Sequence, residues 1–273
     1  DQNHVTETTL FQQVLDTEEQ ATYLNGNKLV SLPIHQQADS TQASYLIDAR
    51  NNAYFVAKGQ KLKVLRQHQT SERGKDRKPT SGDFVSAVLE HGKAPNNASY
   101  EYAVLINSNK EQAENFQQAL LSDRAPYQVL QHDNLAHIVK DRTTQVTGYA
   151  LFEANNHINH EQLLATDTAS MVMISAENNK LHLAVTDPDL NLYQGQEADQ
   201  LDKNGLQKEV SIYSRSWRFR NPQPKEVTLT IKGRWQGEGA QWQVMGHEGG
   251  NTKIAVTSVA AKPVQITLEK MSL

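Results

Sequence analysis

Short runs of alternating apolar and polar residues, cut every few positions by turn residues, constrain this chain more than any other feature. Such a run buries one face and wets the other. It is satisfied as a strand in an antiparallel sheet. Asn25-Gly26-Asn27 is a hairpin signal between Ala21-Thr22-Tyr23-Leu24 and Lys28-Leu29-Val30, because the tight turn demands residues tolerant of positive φ. Tyr45-Leu46-Ile47-Asp48 leads through Asn51-Asn52 into Ala53-Tyr54-Phe55-Val56. After Gly59, Leu62 and Val64 alternate with lysines over residues 61–66. Residues 84–89 and 100–106 read as strands around a turn at 91–99, and strands resume at 127–130, 136–139 and 145–152.

One segment changes period. Over residues 108–121, Ala113, Phe116, Ala119 and Leu120 recur at helical spacing, with Ser108 or Asn109 placed to cap and Glu111 in the first turn. The spacing predicts one short helix near 109–121. Residues 153–168 are polar, rich in Asn, His and Thr, and mark the expected domain boundary. Strand patterns then follow at 171–174, 181–185, 227–231, 241–245, 254–257 and 264–268, with a charged insertion expected over 194–210. The expectation is an all-β protein. Residues 1–160 form the later strands of a large antiparallel β-sandwich, and residues 161–273 form a smaller C-terminal antiparallel β-sandwich. Without its earlier strands, the first domain would expose sheet edges.

Composition narrows the chemistry. The chain has no cysteine, which removes disulfides, thiolate nucleophiles and Cys-based zinc sites. A net charge of −4 rules out bulk attraction to a polyanion, so no nucleic-acid partner is expected and any acidic ligand must be held locally. No apolar run approaches the ~18 residues of a membrane span. The chain opens Asp1-Gln2-Asn3-His4, with no visible signal peptide or initiator Met, as a fragment or processed product would. None of the ten histidines stands in an H-x-x-x-H spacing. His157 and His160 lack an evident third ligand, so solvated histidines are expected and neither metal nor cofactor. There is no phosphate-binding loop and no G-x-S-x-G elbow. Asp187-Pro188-Asp189 pairs two carboxylates, but Asp-Pro after a strand is first a turn.

Two basic segments could touch a ligand. Arg66, His68, Arg73, Lys75, Arg77 and Lys78 have only Glu72 and Asp76 between them, in a polar stretch, 66–83, that reads as a loop through Gly74, Pro79 and Gly82. Such a cluster could hold sulfate through charge-assisted hydrogen bonds. It could equally be a solvated loop whose arginines pair with a neighbouring domain. In residues 213–220, Tyr213, Arg215, Trp217 and Phe219 would share one strand face, with Arg218 and Arg220 opposite. Arg215 and Trp217 then suit a sugar platform, or the aromatics simply pack a core. Trp235 and Trp242 suit a hairpin across residues 237–239, or the core.

The run His91-Gly92-Lys93-Ala94-Pro95-Asn96-Asn97-Ala98-Ser99-Tyr100-Glu101-Tyr102 resembles the HG-x-x-P-x-x-A-x-Y-x-Y stretch of polysaccharide lyase family eight. The same resemblance extends, in order, to Val5-Thr6-Glu7-Thr8-Thr9-Leu10-Phe11-Gln12, Arg66-Gln67-His68-Gln69, Tyr127-Gln128-Val129-Leu130, Val146-Thr147-Gly148-Tyr149-Ala150 and Thr186-Asp187-Pro188-Asp189-Leu190-Asn191. It implies the C-terminal β portion of a bacterial enzyme, secreted or periplasmic, that cleaves chondroitin, dermatan or hyaluronan by β-elimination. That chemistry needs a group to neutralise the uronate carboxylate, a base for the C5 proton and an acid for the leaving oxygen. In the family these are an Asn, His, Tyr and Arg on a helical domain and a Glu early in the β domain, all upstream of the match to residues 5–12. No residue here takes a catalytic role by carry-over, and this segment alone is expected to be inactive. Its expected partners are a sulfated glycosaminoglycan and the N-terminal and helical catalytic domains. The competing readings are a stand-alone carbohydrate-binding β-sandwich module and a packing module without a ligand.

Overall fold

A computed structural model describes residues 5–17, 20–73, 77–189, 203–205 and 223–272. The chain divides into two compact units, Asp1–Arg124 and Ala125–Leu273. Along the first come β1 (Val5–Val14), β2 (Thr22–Leu24), β3 (Asn27–Leu29), β4 (Ile34–Gln37), β5 (Ser44–Ile47), β6 (Ala53–Val56), β7 (Lys61–Arg73), β8 (Lys78–Lys93), β9 (Tyr102–Leu105) and the helix α1 (Lys110–Leu120). They form a four-stranded sheet in the order β1-β8-β7-β4 and a five-stranded sheet in the order β3-β2-β5-β6-β9. Every described strand pair in this unit is antiparallel.

Alternation decides what each face meets. Phe11, Leu62, Val64, Val85, Ala87 and Leu89 from one sheet meet Leu24, Leu46, Tyr54 and Val56 from the other. Each such aliphatic side chain removed from water is worth about 1.5–3 kcal/mol. The five-stranded sheet is covered on its second face too. There Tyr45, Ile47, Ala53 and Phe55 pack on Ala113, Phe116 and Leu120 of α1. That double cover explains why all four residues of β5 and of β6 are buried, with no polar alternation. The helix starts where its sequence predicts. The Asn109 side chain accepts the Gln112 N–H at 2.9 Å, and Gln112 Oε1 accepts the Asn109 N–H at 2.9 Å. This capping box contributes about 1 kcal/mol. The Asn25-Gly26 turn joins β2 to β3 with φ of 49° and 79°, as the hairpin signal requires.

The second unit holds β10 (Tyr127–His132), β11 (Ala136–Asp141), β12 (Thr147–Leu151), β13 (Leu163–Thr166), β14 (Ser170–Glu177), β15 (Lys180–Thr186), β16 (Lys225–Ile231), β17 (Trp235–Gln236), β18 (Glu238–Gly239), β19 (Trp242–Glu248), β20 (Asn251–Ser258) and β21 (Val264–Lys270). A seven-stranded sheet, β10-β11-β12-β14-β15-β21-β17, faces a five-stranded one, β13-β16-β20-β19-β18. Val172, Ile174, Leu183 and Ile266 from the first pack with Leu163, Leu229, Ile231 and Ile254 from the second.

Two expectations change. The division falls at Arg124, not near residue 160. The reason is hydrogen bonding: β12 pairs with β14, so residues 127–151 belong to the same sheet as residues 170–186. The polar stretch 153–168 is part of this sandwich. Ile158 and Leu163 are in its core, and Asn155 bridges to Thr166 through paired backbone bonds of 2.9 and 2.8 Å. Residues 66–73 and 78–83, expected as loop, are strand. β7 and β8 stay paired out to Arg73↔Lys78. Both faces of that extension meet solvent, so it carries no apolar alternation for a periodicity argument to find. The insertion expected over 194–210 lies outside the described residues except for 203–205.

Candidate functional site

The β7–β8 hairpin carries most of the expected ligand contacts, and its two ends differ. At its base Leu62, Val64 and Arg66 occupy the inward positions. Arg66 is fully buried. Its Nη1 donates to the Gln20 carbonyl at 2.9 Å and to Thr22 Oγ1 at 3.3 Å, Nη2 to the Val30 carbonyl at 3.2 Å, and Nε to the Ser31 carbonyl at 3.4 Å. Burial pulls its pKa below the usual arginine value. The structure therefore removes Arg66 from the ligand-contact set. It ties the chain before β2 and after β3 to the sheet. The planar five-donor guanidinium suits that task, since it can serve several carbonyls at once.

Further out, His68 stands opposite Asp83 in the register, and Nδ1 lies 2.9 Å from Asp83 Oδ1. At the tip Arg73 is exposed. Arg77 takes φ of 48° in the turn and sets Nε 3.7 Å from Glu72 Oε2, with both side chains largely in water. The structure thus brings Arg73, Arg77 and Lys78 to one exposed hairpin end. An anion could meet them there through hydrogen bonds. Lys75, Arg215 and Trp217 lie outside the described residues.

A cavity of about 250 Å³ in the same unit was not apparent from the sequence. Gly59, Gln60, Lys61, Leu89, Glu90, His91, Gly92, Ala98 and Ser99 line it. Three separate chain segments meet there, so local pattern could not reveal it. The readable signal was Tyr100-x-Tyr102, two aromatics at the strand period. A second cavity, about 190 Å³, lies in the second unit. Lys140 and Glu161 line it and pair with each other at 2.9 Å, which satisfies its charged lining internally.

The remaining candidates are structural. Tyr45 and Tyr149 are pushed up to about 12, chiefly by burial, as is Tyr54. Tyr149 donates to the His160 carbonyl at 2.9 Å. Asp133 and Asp141 are held below the usual carboxylate range by hydrogen bonds within their turns. Asp187 behaves as the turn residue its sequence suggests: Oδ1 accepts the Asp189 N–H at 3.0 Å, while Oδ2 pairs with Lys225 Nζ at 3.1 Å. Trp235 is in the core and donates to the Lys232 carbonyl at 2.7 Å. Trp242 packs against that core and stands over Gly237 and Gly239, where any side chain would collide with its indole. Among the described residues no group of three or more His, Cys, Asp or Glu is placed to hold a metal ion.

A two-sheet unit with an outer helix, followed by a second two-sheet sandwich, defines an antiparallel β-sandwich protein. The chain belongs to polysaccharide lyase family 8: the family's super-sandwich domain matches residues 1–117, and its C-terminal beta-sandwich domain matches residues 128–193. The gap between the two matches brackets the division at Arg124. The chain is 40% identical over 273 residues, 99% of its length, to a chondroitin sulfate ABC exolyase of Proteus vulgaris. It is 30% identical over 272 residues to a chondroitin sulfate ABC endolyase of the same organism. It spans about a quarter of those relatives, 26% and 24% of their lengths. In fold it is similar to a Paenibacillus xanthan lyase, with a TM-score of 0.67 at 15% identity, covering 98% of this chain and 24% of the other.

Proposed function

We propose that this chain is the C-terminal β-sandwich portion of a lyase that cleaves chondroitin, dermatan or hyaluronan by β-elimination at uronic acid, leaving unsaturated products. The observation that carries the reading is the 40% identity to a chondroitin sulfate ABC exolyase over 99% of the chain, across both units. In this reading the two sandwiches support the cleft and the elimination is performed by the helical and N-terminal domains, the chain's covalent partners. Its buried tyrosines fit that division, since a phenol held near 12 by burial is a poor base at neutral pH. The exposed tip of the β7–β8 hairpin is the contact proposed for sulfated polymer. Glycosaminoglycans of this kind are large extracellular polyanions, so the enzyme works secreted or in the periplasm of a bacterium.

The test is to assay the gene product that carries this chain on chondroitin sulfate, dermatan sulfate and hyaluronan. Ultraviolet absorbance of the unsaturated uronate and mass spectrometry of the fragments report elimination. Unsaturated oligosaccharides are expected. Saturated products, or none from any of the three polymers, would overturn the reading.

A further inference from the structure

We propose that the first unit carries a saccharide-binding shelf, formed by His91, Tyr100 and Tyr102 beside the 250 Å³ cavity, that takes one acidic sugar unit of a glycan. The shelf begins with geometry. The His91 and Tyr100 rings lie 5.3 Å apart at 32°, and those of Tyr100 and Tyr102 lie 6.3 Å apart at 15°. The planes of the two phenols are therefore nearly parallel. Tyr100 is 44% exposed and Tyr102 39%. Two part-exposed phenols beside an imidazole offer aromatic surface, and the C–H face of a pyranose ring packs on such surface.

The shelf is also fixed in place. The Thr8 hydroxyl and His91 Nε2 are 2.7 Å apart, which sets the orientation of the imidazole. Gln60 Nε2 donates to the Glu101 carbonyl at 2.6 Å, and Gln60 Oε1 accepts the Glu101 N–H at 3.2 Å. This pair of hydrogen bonds clamps the residue between the two tyrosines to the cavity wall. β9 is the edge of its sheet, so no further strand of the described chain pairs beyond it. Proteins usually guard such an edge with charge, and this one presents Tyr102 and Val104.

Charge selects the ligand. Lys61 lines the cavity, while Lys58 and Lys93 are neighbours of its lining glycines Gly59 and Gly92. All three lysines are exposed, and none makes an ion pair among the described residues. The nearest carboxylate in the lining, Glu90, is engaged by Lys63 Nζ at 3.2 Å. The cavity is slightly smaller than the ~300 Å³ lower bound of drug-sized pockets, which suits a single ring substituent rather than a long ligand. A sugar ring stacked on Tyr100 would direct its carboxylate or sulfate toward Lys61 and Ser99. The choice of an acidic sugar rests on the function proposed above, whereas the stacking shelf does not.

Binding of a size-defined chondroitin 4-sulfate oligosaccharide to the full 273-residue chain, by calorimetry and NMR, tests this. Tyr100→Ala should weaken binding about tenfold, and Tyr100→Phe, which keeps the ring, should stay within about twofold. Lys61→Ala should weaken binding about threefold at low salt, with the difference shrinking as salt rises. A neutral oligosaccharide of equal length should bind more weakly than the sulfated one. Circular dichroism of each variant checks that the fold is kept. Wild-type affinity in folded Tyr100→Ala would overturn the shelf, as would a change in oligomeric state alone, which would mark the edge as a strand-docking surface. Equal binding of the neutral oligosaccharide would overturn the acidic ligand but not the shelf. Failure of the lyase reading is separate: it would appear as absence of unsaturated product from the gene product, whatever this variant series shows.

Discussion

The base and the tip of the β7–β8 hairpin are made from the same two strands, and both carry arginine, yet they do different work. At the base Arg66 is sealed from water and spends its donors on the chain flanking β2 and β3. At the tip Arg73 and Arg77 stand in solvent, with a 3.7 Å contact to Glu72 as the main restraint on Arg77. Residue type therefore says little about role, and the second sheet beneath the strand says much. A cation under a sheet is an internal fastener, whereas a cation beyond its edge is available to a ligand.

The contrast is broken most directly at Arg66. Arg66→Ala would empty a fully buried site and take the guanidinium away from the part-buried carbonyls of Gln20 and Val30, and urea unfolding of the first unit should show a loss of about 3 kcal/mol. Arg66→Lys should recover little, since one ammonium cannot span the same carbonyls. A change under about 0.5 kcal/mol would mean the base is no fastener. A second effect comes from pH. Tyr54 packs on Phe11 behind the base, and both it and Tyr45 are raised from 10.0 to about 12. Above pH 10 the unfolded phenols lose their protons while the folded ones keep theirs. Stability should hold below pH 10 and fall as pH rises toward 12. Thermal unfolding that is flat across this window would contradict the buried-phenol picture.

The tip should behave oppositely. The double variant Arg73→Ala/Arg77→Ala should shift stability by under about 0.5 kcal/mol. In the gene product it should raise KM several-fold for sulfated chondroitin and less for unsulfated hyaluronan, with kcat little changed. Equal effects on both polymers would point to lost docking rather than lost sulfate contacts. A small effect is also expected at the middle of the hairpin. His68→Ala removes an exposed pair with Asp83 and should cost under about 1 kcal/mol.

Much of this architecture was legible in the sequence, for physical reasons. Asn25-Gly26 fixed its hairpin because few residues tolerate that turn, and the helix over 110–120 declared itself by period and cap. Arg66 was legible too, and charge obscured it. It continues the inward series begun by Leu62 and Val64, so strand periodicity alone puts it on the buried face. The division near Arg124 was not legible, because which strands share a sheet depends on pairings far apart in sequence. The polar stretch at 153–168 misled for the same reason: Ile158 stands alone and Leu163 opens a run of only three apolar residues, and their burial comes from the sandwich they fill. The cavity at Gly59 and Gly92 needed three segments brought together, and only the Tyr100-x-Tyr102 spacing hinted at it.

The central claim is that this chain builds and holds while other domains carry out the elimination. Incubating the 273-residue chain alone with chondroitin sulfate, and following ultraviolet absorbance of the unsaturated uronate, tests it most directly. The account predicts no product above a buffer control from a chain whose circular dichroism shows it folded. Steady product formation would contradict it and would place an acid and a base within this chain.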